Sequence, residues 1–414
     1  MLKHINNKDI VCDMDGKILY INNTFKQILN IHNFNQKRIF NIIHSNDIIF
    51  FIKKYTDFIN HKSLILVENV LLINKQHVIL ELTKTDEGIN IQIMPNVAQV
   101  TIKSTIKLAF HTLEKIIFIT RSKFIIGSVI PFIFSIFWSV YRYNEISYFF
   151  LILTCVAVIL LHAAANTFND YFDWVSGRDS ENIDYVLSST GGSRSIDFKI
   201  ISSKMMLIIS WIIIAIVVCI GVYIFYYRNI LILIIGVIAF LSLYFYSAPP
   251  IHLASRYGLG ELMHVFCLGP MITYGTTLAL TNSANVIDFI IGFPFGLMIT
   301  GCLLMNEYPD SKYDKISKKN NLAVVLGVTY IPYMYILLFL LTIIIITTLI
   351  YMKYLSLIFL SYIFILPYFY VTLKMIFLIP NGRYFIIQSC IKSFNIYFYL
   401  SIILIVSIII ELLI

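Results

Sequence analysis

The chain has 414 residues, of which 58% are hydrophobic and only 13% are charged, and its formal net charge is +8. Soluble domains carry about 25% charged residues, so this composition excludes a large soluble globular protein and indicates a chain that crosses a membrane repeatedly. In such a chain the excess of Lys and Arg bears on topology, and we expect no nucleic acid among its partners.

The first 98 residues contain no apolar run long enough to cross a bilayer. The stretch IVCDMDGKILYINNTF (10–25) predicts two short strands about an Asp-Gly turn, followed by a helix. Further on, SLILVENVLLI, HVILELTK and GINIQIMP alternate apolar and polar residues, which predicts three strands of a half-buried antiparallel sheet.

The stretch DMDGKILYINNTFKQIL, followed by IFNIIHSNDI (39–48) and three strands, resembles a PAS domain. The resemblance implies a small α+β domain on the cytoplasmic side over residues 1–98. Such a domain either senses a ligand and regulates the rest of the chain, or serves as a dimerisation and folding module. The sequence does not identify the ligand or a dimer partner.

Residues 99–123 are basic and amphipathic, which predicts a linker helix along the membrane surface. From residue 124 to the C-terminus, apolar stretches of spanning length recur and predict an all-α polytopic membrane domain over residues 124–414. The predicted spans number about nine and lie near residues 124–142, 146–168, 205–227, 229–246, 261–281, 287–305, 329–352, 354–376 and 393–413.

Basic residues concentrate in alternate loops between the predicted spans, and the opposite loops hold few beyond Arg142, Arg228 and Lys353. The loops rich in basic residues contain Arg178, Arg194, Lys199, Lys204, Arg256, Lys312, Lys315, Lys318, Lys319, Arg383 and Lys392. Because basic loops stay in the cytoplasm, this pattern predicts a cytoplasmic N-terminus and an external C-terminus.

Two similar acidic segments, NDYFD (169–173) and NEYPD (306–310), end apolar runs on the same predicted side. Asn169 and Asp173 are four residues apart and share a helix face, with Asp170 nearby. The second segment repeats this spacing through Asn306, Asp310 and Asp314, unless Pro309 bends the chain.

Carboxylates at a membrane boundary are costly unless they pair or bind cations. Two clusters facing each other would hold Mg²⁺ together with a diphosphate, because Mg²⁺ favours a few carboxylates plus phosphate oxygens. Nearby Arg194, in SSTGGSR, and Lys318 and Lys319 suit diphosphate oxygens. The alternatives are that the acids are solvated loop residues and that the lysines contact lipid head groups.

Four segments, NDYFDWVSGRD (169–179), STGGSR (189–194), YSAPP…RYGLGE (246–261) and NEYPDSKYDKISKKNNLAVVLG (306–327), resemble the signatures of the UbiA superfamily of intramembrane prenyltransferases. Gly177 stands where the first family motif often has a third Asp, and Asp179 follows two residues later. This departure resembles the branch that prenylates 1,4-dihydroxy-2-naphthoate on the way to menaquinone.

The resemblance implies roles for particular residues of this sequence. The expected catalytic residues are Asp170, Asp173, Asp310 and Asp314. The expected ligands of Mg²⁺ are these four together with Asn169 and Asp179. The expected diphosphate- or acceptor-binding residues are Asn169, Arg194, Asn306, Lys318, Lys319, Tyr246 and Arg256. For Tyr246 the alternative is an interfacial aromatic of the membrane belt.

The resemblance therefore implies a magnesium-dependent enzyme in a bacterial or archaeal cell membrane, which transfers a polyprenyl group from its diphosphate to 1,4-dihydroxy-2-naphthoate. An alternative keeps this reaction and changes the acceptor to 4-hydroxybenzoate, another phenol or a lipid glycerol. A distant alternative is a transporter gated by the PAS-like domain, although transporters place charges near mid-span.

Overall fold

The computed structural model describes residues 10–12, 18–21, 65–71, 77–85, 88–95, 114–177 and 192–414. The chain divides into two compact units, one formed within 1–119 and 183–202 and the other within 120–182 and 203–414. Most of the predicted linker helix lies outside the described residues. So do the helix expected after the second strand and the segment 39–48.

The described strands of the first unit form one antiparallel sheet in the order β2-β1-β5-β4-β3. The strands are β1 (Ile10–Cys12), β2 (Ile18–Ile21), β3 (Ile65–Leu71), β4 (His77–Thr85) and β5 (Gly88–Pro95). Ile10 of β1 and Leu82 of β4 both pair with Ile91 of β5, and all three side chains are buried. The predicted alternation therefore buries one face of the sheet.

The second unit is helical. Its helices are α1 (Ile126–Tyr143), α2 (Tyr148–Val175), α3 (Ser203–Tyr227), α4 (Ile230–Ser247), α5 (Leu259–Leu268), α6 (Pro270–Thr281), α7 (Val286–Ile290), α8 (Phe293–Glu307), α9 (Ser311–Ile316), α10 (Leu322–Tyr351), α11 (Leu366–Phe377) and α12 (Arg383–Leu413). Within residues 114–177 and 192–414, nine helical segments are long and apolar enough to cross a membrane. This finding confirms the predicted membrane domain of about nine spans.

Helix α8 lies at the centre of the helical unit, packed against α5, α10 and α12. Gly296 makes the contact with α5 very close, because a Cβ built there would lie 2.1 Å from the backbone oxygen of Val265. Small residues of this kind let membrane helices approach each other, where dispersion contacts replace the hydrophobic effect.

At the end of the bundle remote from the acidic segments, Asp288 of α7 is fully buried and ties α7 to α1. The indole N–H of Trp138 donates to Asp288 Oδ1 at 2.7 Å, and the hydroxyl of Tyr143 donates to Oδ2 at 2.6 Å. The same carboxylate accepts the backbone N–H of Asn285 and so completes the N-terminal cap of α7. A carboxylate so well satisfied is tolerated inside the bundle.

Two helices continue well beyond their predicted spans into polar sequence. Helix α2 continues seven residues past the predicted end at 168, so the first acidic segment is helical, and α12 begins ten residues before the predicted start at 393. Helix α10 is broken at Gly327 (φ 64°, ψ 173°), which separates its first turn from the predicted span that begins at 329. Hydropathy marks the apolar length of a helix and misses the polar turns that extend it.

Candidate functional site

The first acidic segment occupies the last two turns of α2. The amide of Asn169 donates from Nδ2 to Asp173 Oδ2 at 3.1 Å, as the four-residue spacing predicts. Asp170 points into the protein and is 3% exposed. Gly177 then ends the helical path with φ 79°, in the left-handed region that glycine adopts readily. Gly177, the residue that departs from the expected motif, therefore allows the chain to turn after α2.

Arg121, which precedes α1, lies against the first acidic segment. Its Nη1 is 3.3 Å from Asn169 Oδ1 and 3.5 Å from Asp170 Oδ1. On its other side, the Asn169 amide donates to Ser247 Oγ, at the end of α4, at 2.7 Å. The first segment thus has a cation beside it and is fixed to two other parts of the helical unit.

The second acidic segment follows a helical path that changes type. Helix α8 ends at Glu307, a 3₁₀ segment spans Tyr308–Asp310, and α9 then carries Asp314. Pro309 lies in the 3₁₀ segment, where its missing N–H removes an α-helical hydrogen bond. Asn306, Asp310 and Asp314 therefore lie on three successive elements, α8, the 3₁₀ segment and α9, and not on one continuous α-helix.

Asp314 is largely buried and is held by residues that follow it. Its Oδ2 accepts the amide of Asn321 at 2.8 Å and lies 3.6 Å from Nζ of Lys319. Asn321 also caps α10, since its Oδ1 accepts the backbone N–H of Val324 at 2.9 Å. One asparagine therefore connects the acidic segment to the first turn of α10.

Tyr246, near the end of α4, connects the two acidic segments. Its phenol interacts electrostatically with Asp173 of the first segment and with Asp314 of the second. It also interacts with Glu307 and with Glu261 of α5. The structure therefore brings both acidic segments to the surroundings of one tyrosine, at the same end of the helical unit.

Sequence reasoning missed Glu261 and Glu307 as parts of this site. They are only 3% and 7% exposed, and the two carboxyl groups interact with each other. Glu261 Oε1 accepts the backbone N–H of Leu322 at the start of α10. Glu307 was visible in NEYPD and Glu261 in RYGLGE, but neither has the four-residue spacing that selected the other acids. Arg121 was missed because it belongs to a stretch with several basic residues.

For four further predicted residues, the described contacts involve other groups, or none of the acidic segments. Arg194 belongs to the segment 183–202 of the first unit, and its Nη1 is 3.0 Å from Asp197 Oδ2. Arg256 donates from Nε to the carbonyl of Ile251 at 2.8 Å, within its own loop. Lys318 is exposed, and Asn306 is half-buried in α8. Asp179 lies outside the described residues.

The donor set can be tested against Mg²⁺. Among the described residues no three His, Cys, Asp or Glu side chains converge to form a complete cage. The buried Oε2 atoms of Glu261 and Glu307 make no hydrogen bond in the part of the chain that the structure describes. Mg²⁺ in proteins keeps several waters and is bound through one or two carboxylates plus substrate phosphates. The carboxylates of the two acidic segments, which form no closed cage among the described residues, therefore fit this ion.

The sequence pattern of the UbiA prenyltransferase family matches residues 128–384. UbiA prenyltransferase domain-containing protein 1 of Dictyostelium discoideum is 27% identical over 202 residues, which are 48% of this chain and 59% of that protein. The 1,4-dihydroxy-2-naphthoate octaprenyltransferase of Bacillus subtilis is 22% identical over 209 residues, 50% of this chain and 65% of that protein. The chain thus matches less than two thirds of the length of either relative.

A solved structure of digeranylgeranylglyceryl phosphate synthase resembles this chain with a TM-score of 0.52 at 21% identity. The match covers 72% of this chain and 98% of that one. It shows that the helical unit has the same fold.

Proposed function

We propose, from the premise that this chain belongs to the UbiA prenyltransferase family, that it transfers a polyprenyl group from a polyprenyl diphosphate to an aromatic acceptor. The observation that carries the proposal is the meeting of two acidic segments around Tyr246. Such a site suits a diphosphate with its metal ions, because Mg²⁺ is bound through a few carboxylates plus phosphate oxygens and both segments supply carboxylates.

Asp170, Asp173, Asp310 and Asp314 would hold Mg²⁺, with Asn169 and Asp179 as further ligands. When bound, Mg²⁺ supplies Lewis-acid stabilisation of the diphosphate as negative charge develops on it. Lys319 stands beside Asp314 and Arg121 beside Asp170, so each segment has one cation ready for phosphate oxygens. We assign Arg194, Lys318, Asn306 and Arg256 supporting contacts to the same diphosphate.

The apolar helices receive the isoprenoid chain and exclude water from the reacting carbon. An allylic carbon that loses diphosphate becomes cationic, and water would trap it before an aromatic ring attacks. Tyr246, in the surroundings of both acidic segments, supplies an electron-rich ring that would stabilise a nearby cation. Its position between the segments supports this role over a place in the interfacial belt.

The acceptor we favour is 1,4-dihydroxy-2-naphthoate, for menaquinone synthesis. Two observations support it: the relative from Bacillus subtilis with that activity in its name, and Gly177 in place of the third acid of the first motif. The alternatives are 4-hydroxybenzoate, another phenol and a lipid glycerol. An acceptor panel separates them.

A transporter remains the proposal from a different class. The acids argue against it, because Asp173 lies two residues before the end of α2 and Asp314 lies beyond the end of α8. Ion paths through transporters use charges near the bilayer midplane. The absence of any prenylated product across the acceptor panel would favour transport.

We propose that residues 1–98 form a PAS-like cytoplasmic domain that regulates the enzyme. A linker helix over 99–123 joins this domain to the membrane domain 124–414. The five-stranded antiparallel sheet supports a small α+β domain there. We propose that the N-terminus and the acidic segments face the cytoplasm of a bacterial or archaeal cell and that the C-terminus lies outside. Deleting residues 1–98 should change the rate or its response to small molecules.

The decisive experiment uses the purified full chain in lipid vesicles, with geranylgeranyl diphosphate and a panel of aromatic acceptors, with and without Mg²⁺. We expect product only with Mg²⁺, and a loss of at least about 100-fold in Asp173→Asn and Asp310→Asn. Glu145→Gln is the matched control, because this exposed carboxylate precedes the opposite end of α2. Full activity in Asp173→Asn and Asp310→Asn would contradict the metal assignment.

A further inference from the structure

Two histidines lie inside the helical unit, deeper than the acidic segments. His162 is eight residues before Asp170 on α2, which is about two helical turns and keeps both on one face. Its Nδ1 forms a short hydrogen bond with Ser128 Oγ of α1. The histidine is therefore held by its near nitrogen against the neighbouring helix.

His264 occupies a matching position on the side of the second acidic segment. It follows Glu261 by one turn of α5, and its Nδ1 is 2.9 Å from Thr300 Oγ1 of α8. Thr300 is in turn seven residues, or about two turns, before Glu307. Each segment thus has a histidine deeper in the bundle that is fixed by its Nδ1 to a hydroxyl on another helix.

The helices that hold the two rings meet beside the hydroxyl partners, because a Cβ built at Gly127, next to Ser128, would lie 3.2 Å from the side chain of Ile299, next to Thr300. His162 acts electrostatically on His264, and Arg121 acts on His162. The hydroxyl partners Ser128 and Thr300 are each 2% exposed, so both rings contact the interior of the unit. Both histidines nevertheless keep part of their surface accessible.

The second ring nitrogen of each histidine, Nε2, makes no hydrogen bond with the described residues, since the hydrogen bonds of both rings use Nδ1. A polar side chain within a membrane bundle is costly, and those that persist mark substrate paths and binding sites. Two such nitrogens, each on a ring held by Nδ1 to a buried hydroxyl, indicate a ligand with hydroxyl groups.

We infer that His162 and His264 bind the aromatic acceptor by accepting hydrogen bonds from its phenolic hydroxyls at Nε2. With Nδ1–H donated to Ser128 or Thr300, the neutral ring presents Nε2 as an acceptor. A hydroxyl that donates a hydrogen bond makes its ring more electron-rich, and the two contacts fix which ring carbon faces the allylic carbon. This inference rests on the proposed prenyl transfer and adds the class of acceptor, a phenol whose hydroxyls are held by the two histidines.

The test exploits the two ring nitrogens separately. Replacement of His by Asn keeps a polar atom near the position of Nδ1 and removes Nε2, whereas Gln reaches the position of Nε2. If the histidines only brace the helices through Nδ1, the Asn variants should be the better tolerated. If Nε2 contacts the acceptor, the Gln variants should be.

Steady-state kinetics would use the full chain with geranylgeranyl diphosphate and 1,4-dihydroxy-2-naphthoate. We expect His162→Asn and His264→Asn to raise the KM for the naphthoate about tenfold each, the effect of one lost hydrogen bond. The KM for the diphosphate should stay unchanged, and the Gln variants should remain within about threefold of the wild type. Repeating the series with 1-hydroxy-2-naphthoate, which lacks the 4-hydroxyl, should abolish the penalty of one of the two histidines.

Thr300 provides a second route if a histidine variant fails to fold. Thr300→Val removes the hydroxyl that orients His264 at nearly constant volume, and Thr300→Ser retains it. We expect the first to raise the naphthoate KM and the second to leave it close to the wild type. Binding of 1,4-dihydroxy-2-naphthoate, measured without the diphosphate donor and therefore without turnover, should weaken in Thr300→Val and stay close to the wild type in Thr300→Ser.

Two failures are distinguishable. A wild type that prenylates the naphthoate while the Asn variants keep its KM would overturn the histidine assignment alone. A wild type that neither prenylates any acceptor of the panel nor binds 1,4-dihydroxy-2-naphthoate would overturn the proposed function and this inference with it.

Discussion

The contact between α5 and α8 at Gly296 leads to a sharp mutational prediction. In Gly296→Ala the new Cβ would lie 2.1 Å from Val265 O and 3.0 Å from Val265 C. Both are backbone atoms, so no side-chain rotation relieves the clash. Helix α5 carries Glu261 and His264, and α8 leads into the second acidic segment, so both halves of the candidate site depend on this contact.

The size of the effect follows from the geometry. Real Cβ atoms essentially never approach a neighbour within 3.0 Å, so the helices must separate by about 0.9 Å at this point. Overpacking a tight interior costs about 1 to 3 kcal/mol, and a backbone clash belongs at the upper end. A displacement of about 1 Å in a positioned catalytic group also costs up to about 100-fold in rate.

The assay compares Gly296→Ala with Gly236→Ala in α4. A Cβ at Gly236 meets nothing within 4 Å, so the same chemical change there adds no clash, and alanine favours the helix. We expect the melting temperature in detergent and prenyl transfer to fall in the first variant and not in the second. Gly296→Ala as stable and as active as Gly236→Ala would refute the close approach of α5 and α8.

Three further predictions concern residues outside the Gly296 contact. Asp288→Ala should lower stability by about 2 to 4 kcal/mol, read as a lower melting temperature, because it leaves two buried donors without their acceptor. Arg121→Ala should raise the KM for geranylgeranyl diphosphate about tenfold, with Arg121→Lys less affected, because the guanidinium lies beside Asp170. Tyr397→Phe should cost about 1 to 2 kcal/mol of stability and leave the kinetics unchanged, because it removes the hydrogen bonds of the hydroxyl to the Gly127 carbonyl and the Ser401 side chain, neither of which belongs to the acidic segments.

Each of these predictions has a contradicting result. Asp288→Ala with an unchanged melting temperature would show that the tie between α1 and α7 contributes nothing. Equal kinetics in the wild type and Arg121→Ala would remove this arginine from the diphosphate site. A change in either KM in Tyr397→Phe would mean that this hydroxyl does more than bind helix α1.

The membrane spans were predictable because hydropathy integrates over some twenty residues. The errors lie at polar ends: Asn169 and Asp170 suggested the end of a span, yet α2 continues to Val175. Their side chains find partners in Ser247 and Arg121, so the helix continues among polar neighbours. No local property of the sequence reveals such partners, since they are 78 and 49 residues away.

The acidic residues of the candidate site were predictable from a repeated spacing, and their roles stay predictions. Asp173 and Asp314 both interact with Tyr246, and Asp170 lies beside Arg121. Arg256, by contrast, donates to its own loop. Spacing along one helix identifies side chains that share a face. It says nothing about Glu261, whose relation to Glu307 arises only when α5 packs on α8.

The break at Gly327 uncouples the first turn of α10 from the membrane-spanning part of the same helix. Asn321 ties the first turn of α10 to Asp314, and the backbone departs from helical geometry six residues later, before the spanning part begins. Spans tilt when the thickness of the bilayer changes. Because a rigid rod would carry that tilt into its first turn and a broken one does not, the hydrogen bond from Asn321 to Asp314 is insulated from the tilt of the α10 span.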